Sequence, residues 1–296
     1  MRGLIRWPVS VLLLLVLAAL WFFSRPDPIA ANAMPAHTPD LANGEMVFYA
    51  AGCAACHGEN LAGGLEMVTE RGVFRVPNIT PNPESGIGRW SRVDFVNAMQ
   101  RGVSPQGKHY YPAFPYTSYA RMRIEDILDL KAYLDSFPPL ENNVAGHDLR
   151  FPFSIRRGVG FWKRRYLDPD PVVEADSQGV QFERGRYLVE ALGHCAECHT
   201  PRDRFGGVDP SRWMTGAPNP NGEGSVPNIT PHADGLGSWS QRDISYYLES
   251  GFTPDFDSVG GSMVEVQENM ARLTAADRDA IATYLKSIPA LPSTRD

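Results

Sequence analysis

The chain has 296 residues, room for two or three domains of ordinary size. Hydrophobic residues make up 43% and charged residues 21%, which excludes an intrinsically disordered chain. The net charge of -6 and pI near 5.7 exclude the strongly basic surface that nucleic acid favours as a partner. The 27 glycines and 25 prolines point to loop-rich structure around short helices.

The first element is apolar. From Trp7 to Phe23 only Pro8 and Ser10 interrupt it, and Arg2 and Arg6 orient its start toward the cytoplasm. Two readings compete: a signal segment cut near Ala31-Asn32-Ala33, or a membrane helix, which needs about 17–25 apolar residues. The small-residue site lies past Arg25 and Asp27, well beyond the run, and Trp21, Phe22 and Phe23 suit an interfacial belt. Residues 1–24 are therefore read as an uncleaved anchor, with a cleaved segment as the alternative, and 25–40 as a linker. In both cases the folded part is exported.

The remainder is a repeat, with one copy over 41–140 and the other over 181–292. Gly44 leads into Cys53-Ala-Ala-Cys56-His57, and Gly185 leads into Cys195-Ala-Glu-Cys198-His199. Val76-Pro-Asn-Ile-Thr-Pro81 returns as Val226-Pro-Asn-Ile-Thr-Pro231, and Trp90-Ser91 with Asp94 returns as Trp239-Ser240 with Asp243. The offset grows from 142 residues at the first cysteines (53 and 195) to 151 at the last tyrosines (133 and 284), so the second copy holds small insertions.

Each copy predicts a helix into the cysteine motif and then a long Gly/Pro-rich stretch. A helix follows, N-capped by Ser91 or Ser240 with Asp94 or Asp243 in the capping-box position. A last helix runs over about 124–136 and 274–287, with Ile127, Leu128, Leu130, Tyr133 and Leu134 on one face. No run alternates as a strand would, so the expected fold class is all-α. Residues 141–180 form an interdomain strap with Arg150, Arg156, Arg157, Lys163, Arg164 and Arg165 among Phe151, Phe153, Phe161 and Trp162. The expectation is aromatics packed inward and bases in solvent, a partner-docking or headgroup strip being the other reading.

The four cysteines come as two C-x-x-C-H pairs with none left over, the haem c attachment motif. Each thiol adds to one vinyl group on the same porphyrin edge, and two intervening residues let both sulfurs reach it. The next histidine, His57 or His199, then lies beneath the ring as the proximal iron ligand. A thioredoxin-like site needs a βαβ context that is absent here. Zinc would have three ligands per cluster and no recognisable fourth. Disulfides this close in sequence would close only tiny loops. Two covalent haems c are the expected cofactors.

A sixth ligand of methionine suits electron transfer, because its soft sulfur favours reduced iron. Met263, after the glycine turn Gly260-Gly261-Ser262, is the candidate in the second unit, with Met270 as its rival. Met122, just before the last helix, is the candidate in the first, and Met99 reads as core. His109 and His232 are the histidine alternatives.

These residues resemble the dihaem cytochrome c family, which includes cytochrome subunits of bacterial membrane-bound alcohol, gluconate and aldehyde dehydrogenases. The resemblance runs from Leu41 to Pro289. It rests on both C-x-x-C-H motifs, both Val-Pro-Asn-Ile-Thr-Pro segments, Tyr111-Pro-Ala-Phe-Pro-Tyr116 and Gly260-Gly-Ser-Met263. It implies two tandem class I cytochrome c domains, with Cys53 and Cys56 holding one haem, Cys195 and Cys198 the other, and Met263 as the family's late methionine. It also implies a periplasmic dehydrogenase as electron donor and a quinone, an oxidase or another cytochrome as acceptor. Two departures stand out. Phe114 occupies a place where some relatives have methionine, and this chain has motifs for two haems where the alcohol dehydrogenase subunits have three. The expected function is membrane-tethered electron transfer on the periplasmic side without catalysis. The alternative is a peroxidase-like enzyme using an open sixth position on the first haem.

Overall fold

In the computed structural model, which describes residues 6–174, 178–219 and 224–294, two helical units follow an N-terminal helix. That helix, α1 (Arg6–Phe23), forms as its apolar run predicts, and its residues from Val9 to Phe23 are exposed. Among the described residues no helix is long and apolar enough to cross a membrane.

The first unit is built from α2 (Leu41–Ala50), α3 (Cys53–His57), α4 (Arg92–Arg101), α5 (Tyr116–Tyr119) and α6 (Ile124–Asp135). Asp40 starts α2 by accepting hydrogen bonds from the backbone of Ala42 and Asn43. The strap contributes α7 (Val159–Tyr166). The second unit holds α8 (Val180–Arg186), α9 (Ala196–His199), α10 (Gln241–Ser250), α11 (Met263–Ala271) and α12 (Ala275–Ser287). In each unit the first helix crosses the last, α2 on α6 and α8 on α12, and that crossing centres the core. Both capping boxes are complete: the Ser91 and Ser240 hydroxyls accept from the N–H of Asp94 and Asp243, whose carboxylates accept from the serine N–H groups in return. Ser91→Ala and Ser240→Ala should each cost about 1 kcal/mol, measured by thermal unfolding.

Strands do occur, which corrects the expectation of none. β1 (Glu66–Thr69) and β2 (Gly72–Arg75) form an antiparallel hairpin that pairs Val68 with Val73, and β3 (Asp148–Leu149) of the strap adds to β2. β4 (Ala217–Pro218) pairs with β5 (Ser225–Val226). None exceeds four residues, too few for a period-two pattern to stand out.

The strap departs from expectation in its phenylalanines and in Lys163. Phe151, Phe153 and Phe161 are exposed and Trp162 is half-buried, while Arg150, Arg157, Arg164 and Arg165 lie at the surface as expected; all the bases but Arg165 also reach backbone carbonyls. Arg157 donates to the Trp21 carbonyl (2.9 Å) and the Ser24 hydroxyl (2.9 Å), and Arg164 to the Phe23 carbonyl (2.7 Å). Lys163 donates to the carbonyls of Arg101 and Gly102 at 2.5 and 2.6 Å, and burial pulls its pKa down to about 7. The last carbonyls of α1 and α4 have no partner within their own helices and carry the negative end of the dipole. The strap supplies the cations that satisfy them.

Candidate functional site

The two C-x-x-C-H segments fold alike. Each forms a single helical turn, and none of the four cysteines is in a disulfide; Cys56 and Cys198 are exposed and Cys53 and Cys195 half-buried. Desolvation pushes the Cys53 and Cys195 thiols up to about 12, so both are neutral. Although the residue is exposed overall, protein crowding around its sulfur raises the Cys56 thiol first, and the charges of Glu265 and Cys198, both from the second unit, raise it further.

The copies differ in how they reach the motif. The second has one more residue between Gly185 and Cys195 than the first has between Gly44 and Cys53. That residue is absorbed as a π-helical stretch, Tyr187–Leu192, in which the Gly193 N–H bonds the Leu188 carbonyl at 2.7 Å.

The two histidines are held the same way. His57 Nδ1 lies 2.8 Å from the Pro77 carbonyl and His199 Nδ1 lies 2.8 Å from the Pro227 carbonyl. A carbonyl can only accept, so each ring places its proton on Nδ1 and leaves the Nε2 lone pair free. Desolvation lowers the pKa of His57 to about 4 and lowers that of His199 too, which keeps both imidazoles neutral. Two thiols on one helical turn beside an imidazole with a free Nε2 fit the attachment and proximal ligation of haem c.

The repeated Pro-Asn-Ile-Thr segment is what carries those carbonyls. Asn78 accepts from the N–H and hydroxyl of Thr80 at 2.8 and 2.7 Å and donates to the Leu140 carbonyl at 2.8 Å. Asn228 accepts from the Thr230 N–H at 2.7 Å and donates to the Leu291 carbonyl at 2.9 Å. The chain leaving each last helix is thereby clamped onto the loop that orients the histidine. The repetition was visible in sequence, but a backbone carbonyl leaves no residue-type signal of its own.

The other predicted site residues lie as follows. Met263 is half-buried at the first position of α11. Met122 is buried in the core, as are Met99 and the rival Met270. Buried His109 makes a 2.8 Å hydrogen bond through Nε2 to the Ser24 carbonyl, and its pKa is lowered by burial. His232 accepts from the Asp234 N–H in its own loop. Phe114 stacks edge-on with Tyr110, Tyr116 and Tyr119.

The attachment segments meet where the units touch. His194 Nε2, just before Cys195, lies 3.3 Å from the Ala51 carbonyl, just before Gly52-Cys53. Its ring packs edge-on against Tyr119, whose hydroxyl donates to the same carbonyl. Glu197, between the second pair of cysteines, accepts from Thr117 of the first unit at 3.0 Å.

The cytochrome c family model matches residues 41–138 and 182–289. The chain is 46% identical to a dihaem cytochrome c-type protein of Cereibacter sphaeroides, over 98% of this chain and 100% of that protein. It is 36% identical to the fructose dehydrogenase cytochrome subunit of Gluconobacter japonicus, over 90% of this chain and 56% of that subunit. It is 35% identical to the gluconate 2-dehydrogenase cytochrome c subunit of Pantoea cypripedii, over 94% of this chain and 65% of that subunit. The chain thus spans less than two thirds of the length of both dehydrogenase subunits.

Proposed function

Because the chain belongs to the cytochrome c family and carries two covalently bound haems c, we propose that it is a non-catalytic electron-transfer subunit, tethered by α1 to the periplasmic face of a bacterial inner membrane. It takes electrons from a periplasmic dehydrogenase and passes them toward quinone, an oxidase or another cytochrome. Bound haem iron supplies one-electron oxidation and reduction. Cys53, Cys56, Cys195 and Cys198 hold the two groups, His57 and His199 are the proximal ligands, and Met263 is the sixth ligand of the second haem.

The observation that carries this reading is the meeting of the two attachment segments at His194 and Ala51, which suits relay within one chain. Tethering is supported by the exposed apolar side of α1 and by its last turn. There Arg25 lies over the Phe22 ring at 4.2 Å and Arg164 over Phe23 at 5.0 Å, a cationic and aromatic collar suited to an interface. The dehydrogenase donor is supported by the relatives' own partners.

The test uses the full holoprotein in its exporting host. Washed membranes should retain it, and a chain starting after residue 24 behind a cleavable signal should appear in the soluble periplasm. The released form should be reduced by periplasmic extract supplied with oxidisable sugars or alcohols and reoxidised by membranes. A haem spectrum unmoved by either fraction would count against the role, and loss of the full chain from membranes on washing would count against the tether. Met263→Ala should remove the weak methionine-to-ferric-iron charge-transfer band while both haems stay attached.

A further inference from the structure

We propose that the first haem binds a small neutral π-acceptor diatomic, with carbon monoxide as its probe, because Phe114 stands where the second unit places its ligand methionine. The proposal rests on the haem assignment above.

The register of the two copies carries it. From the capping boxes onward the units match without a gap: Ser91 with Ser240, and the αL residues Gly102 and Gly251 closing α4 and α10. The isolated bridge Val103–His109 matches Phe252–Ser258. Immediately after it, the Tyr110 N–H bonds the Gly102 carbonyl, and the Val259 N–H bonds the Gly251 carbonyl, both at 2.7 Å. Carried four residues further at the same offset, the match brings Phe114 to Met263.

By the start of the last helix the register has shifted by two residues, across the segment that holds α5 in one unit and the longer α11 in the other. After the shift, Met122 matches Leu273. The Met122 N–H bonds the Tyr119 carbonyl at 3.0 Å, and the Leu273 N–H bonds the Met270 carbonyl at 3.1 Å. Both side chains are buried in the core just before the N-cap of the last helix, and Gln100 pins the Met122 carbonyl at 2.6 Å. Met122 therefore fills the place of a core leucine.

The ring at position 114 lies close to the haem-bearing segment. Phe114 packs on Tyr119 at 5.7 Å between centroids, and Tyr119 donates to the Ala51 carbonyl, two residues before Cys53. A phenyl ring has no lone pair to give iron. His109, the nearest histidine along the chain, faces away to Ser24 through Nε2. The sixth position is thus bordered by aromatic surface, which admits an uncharged diatomic and disfavours anions that would lose their hydration.

The experiment is a carbon monoxide titration of the dithionite-reduced holoprotein at neutral pH, read by difference spectrum. The wild type should take up one carbon monoxide per chain. Phe114→Met should take up none and should gain a second methionine charge-transfer band when oxidised. Met122→Ala should keep the wild-type uptake. If the wild type takes up none and Met122→Ala or His109→Ala takes up one, that residue is the ligand and the proposal falls. If the wild type takes up two, Met263 is no ligand either, and the proposal falls with the match it was drawn from. Haem content measured on every variant separates misfolding from lost ligation.

Discussion

Replacing Gly185 by alanine is expected to destabilise the second unit by about 3 kcal/mol, the upper end of the usual overpacking cost. Gly185 is buried where α8 crosses α12. A Cβ there would fall inside the envelope of the Ala280 carbonyl oxygen and 2.8 Å from Tyr284 Cβ, so the helices must separate. Separation would also loosen Phe182 from Tyr284, whose rings lie 5.4 Å apart in the core. Gly44 repeats the arrangement against the Asp129 carbonyl and Tyr133, with slightly more room, so Gly44→Ala should cost less. Denaturant unfolding of the holoproteins, followed by helical circular dichroism and by haem absorption, gives both values. A Gly185→Ala midpoint equal to that of the wild type would show that the crossing tolerates a methyl group.

Why some of this was legible follows from where each signal resides. A capping box needs Ser and Asp three residues apart, and a haem attachment site needs cysteines and histidine at one spacing, so both are written in residue types. The crossing glycines were visible as repeated residues at the start of each unit, though not as contact points. The π-helical stretch could be counted as one extra residue before Cys195. Its location depends on burying Leu188, Val189, Ala191 and Leu192 together, which is a packing decision. The strap's contacts are not written in composition, which says only that arginines face water, as four of these do. Here Arg157 and Arg164 also answer carbonyls at the end of α1, and Lys163 those at the end of α4, a demand that arises only once those ends lie beneath the strap. The histidine-orienting carbonyls of Pro77 and Pro227 belong to the backbone, which every residue shares.

Glu190, a residue with no motif around it, is the site of a second large effect. It lies in the π-helical stretch with its side chain almost fully buried. One oxygen accepts from the Val173 N–H at 3.1 Å and from the Tyr284 hydroxyl at 2.7 Å, and the other accepts from the Val172 N–H at 2.7 Å. Trp213 donates in turn to the Tyr284 oxygen at 3.0 Å, and Arg121 of the first unit stands 3.9 Å from the carboxylate. One carboxylate therefore joins the strap, the last helix, the loop after His199 and the neighbouring unit. Glu190→Ala removes the common acceptor and leaves two amides, a phenol and a guanidinium without it in a dry interior. A loss of about 3–5 kcal/mol is expected, the usual cost of breaking a buried charged network from one side. Glu190→Gln keeps one acceptor oxygen but turns an N–H₂ toward a donor, so it should recover only part of that loss. The order wild type, glutamine, alanine in unfolding midpoint checks the assignment. Equal midpoints for glutamine and wild type would mean that a single acceptor oxygen suffices and that the negative charge contributes nothing to holding the units together.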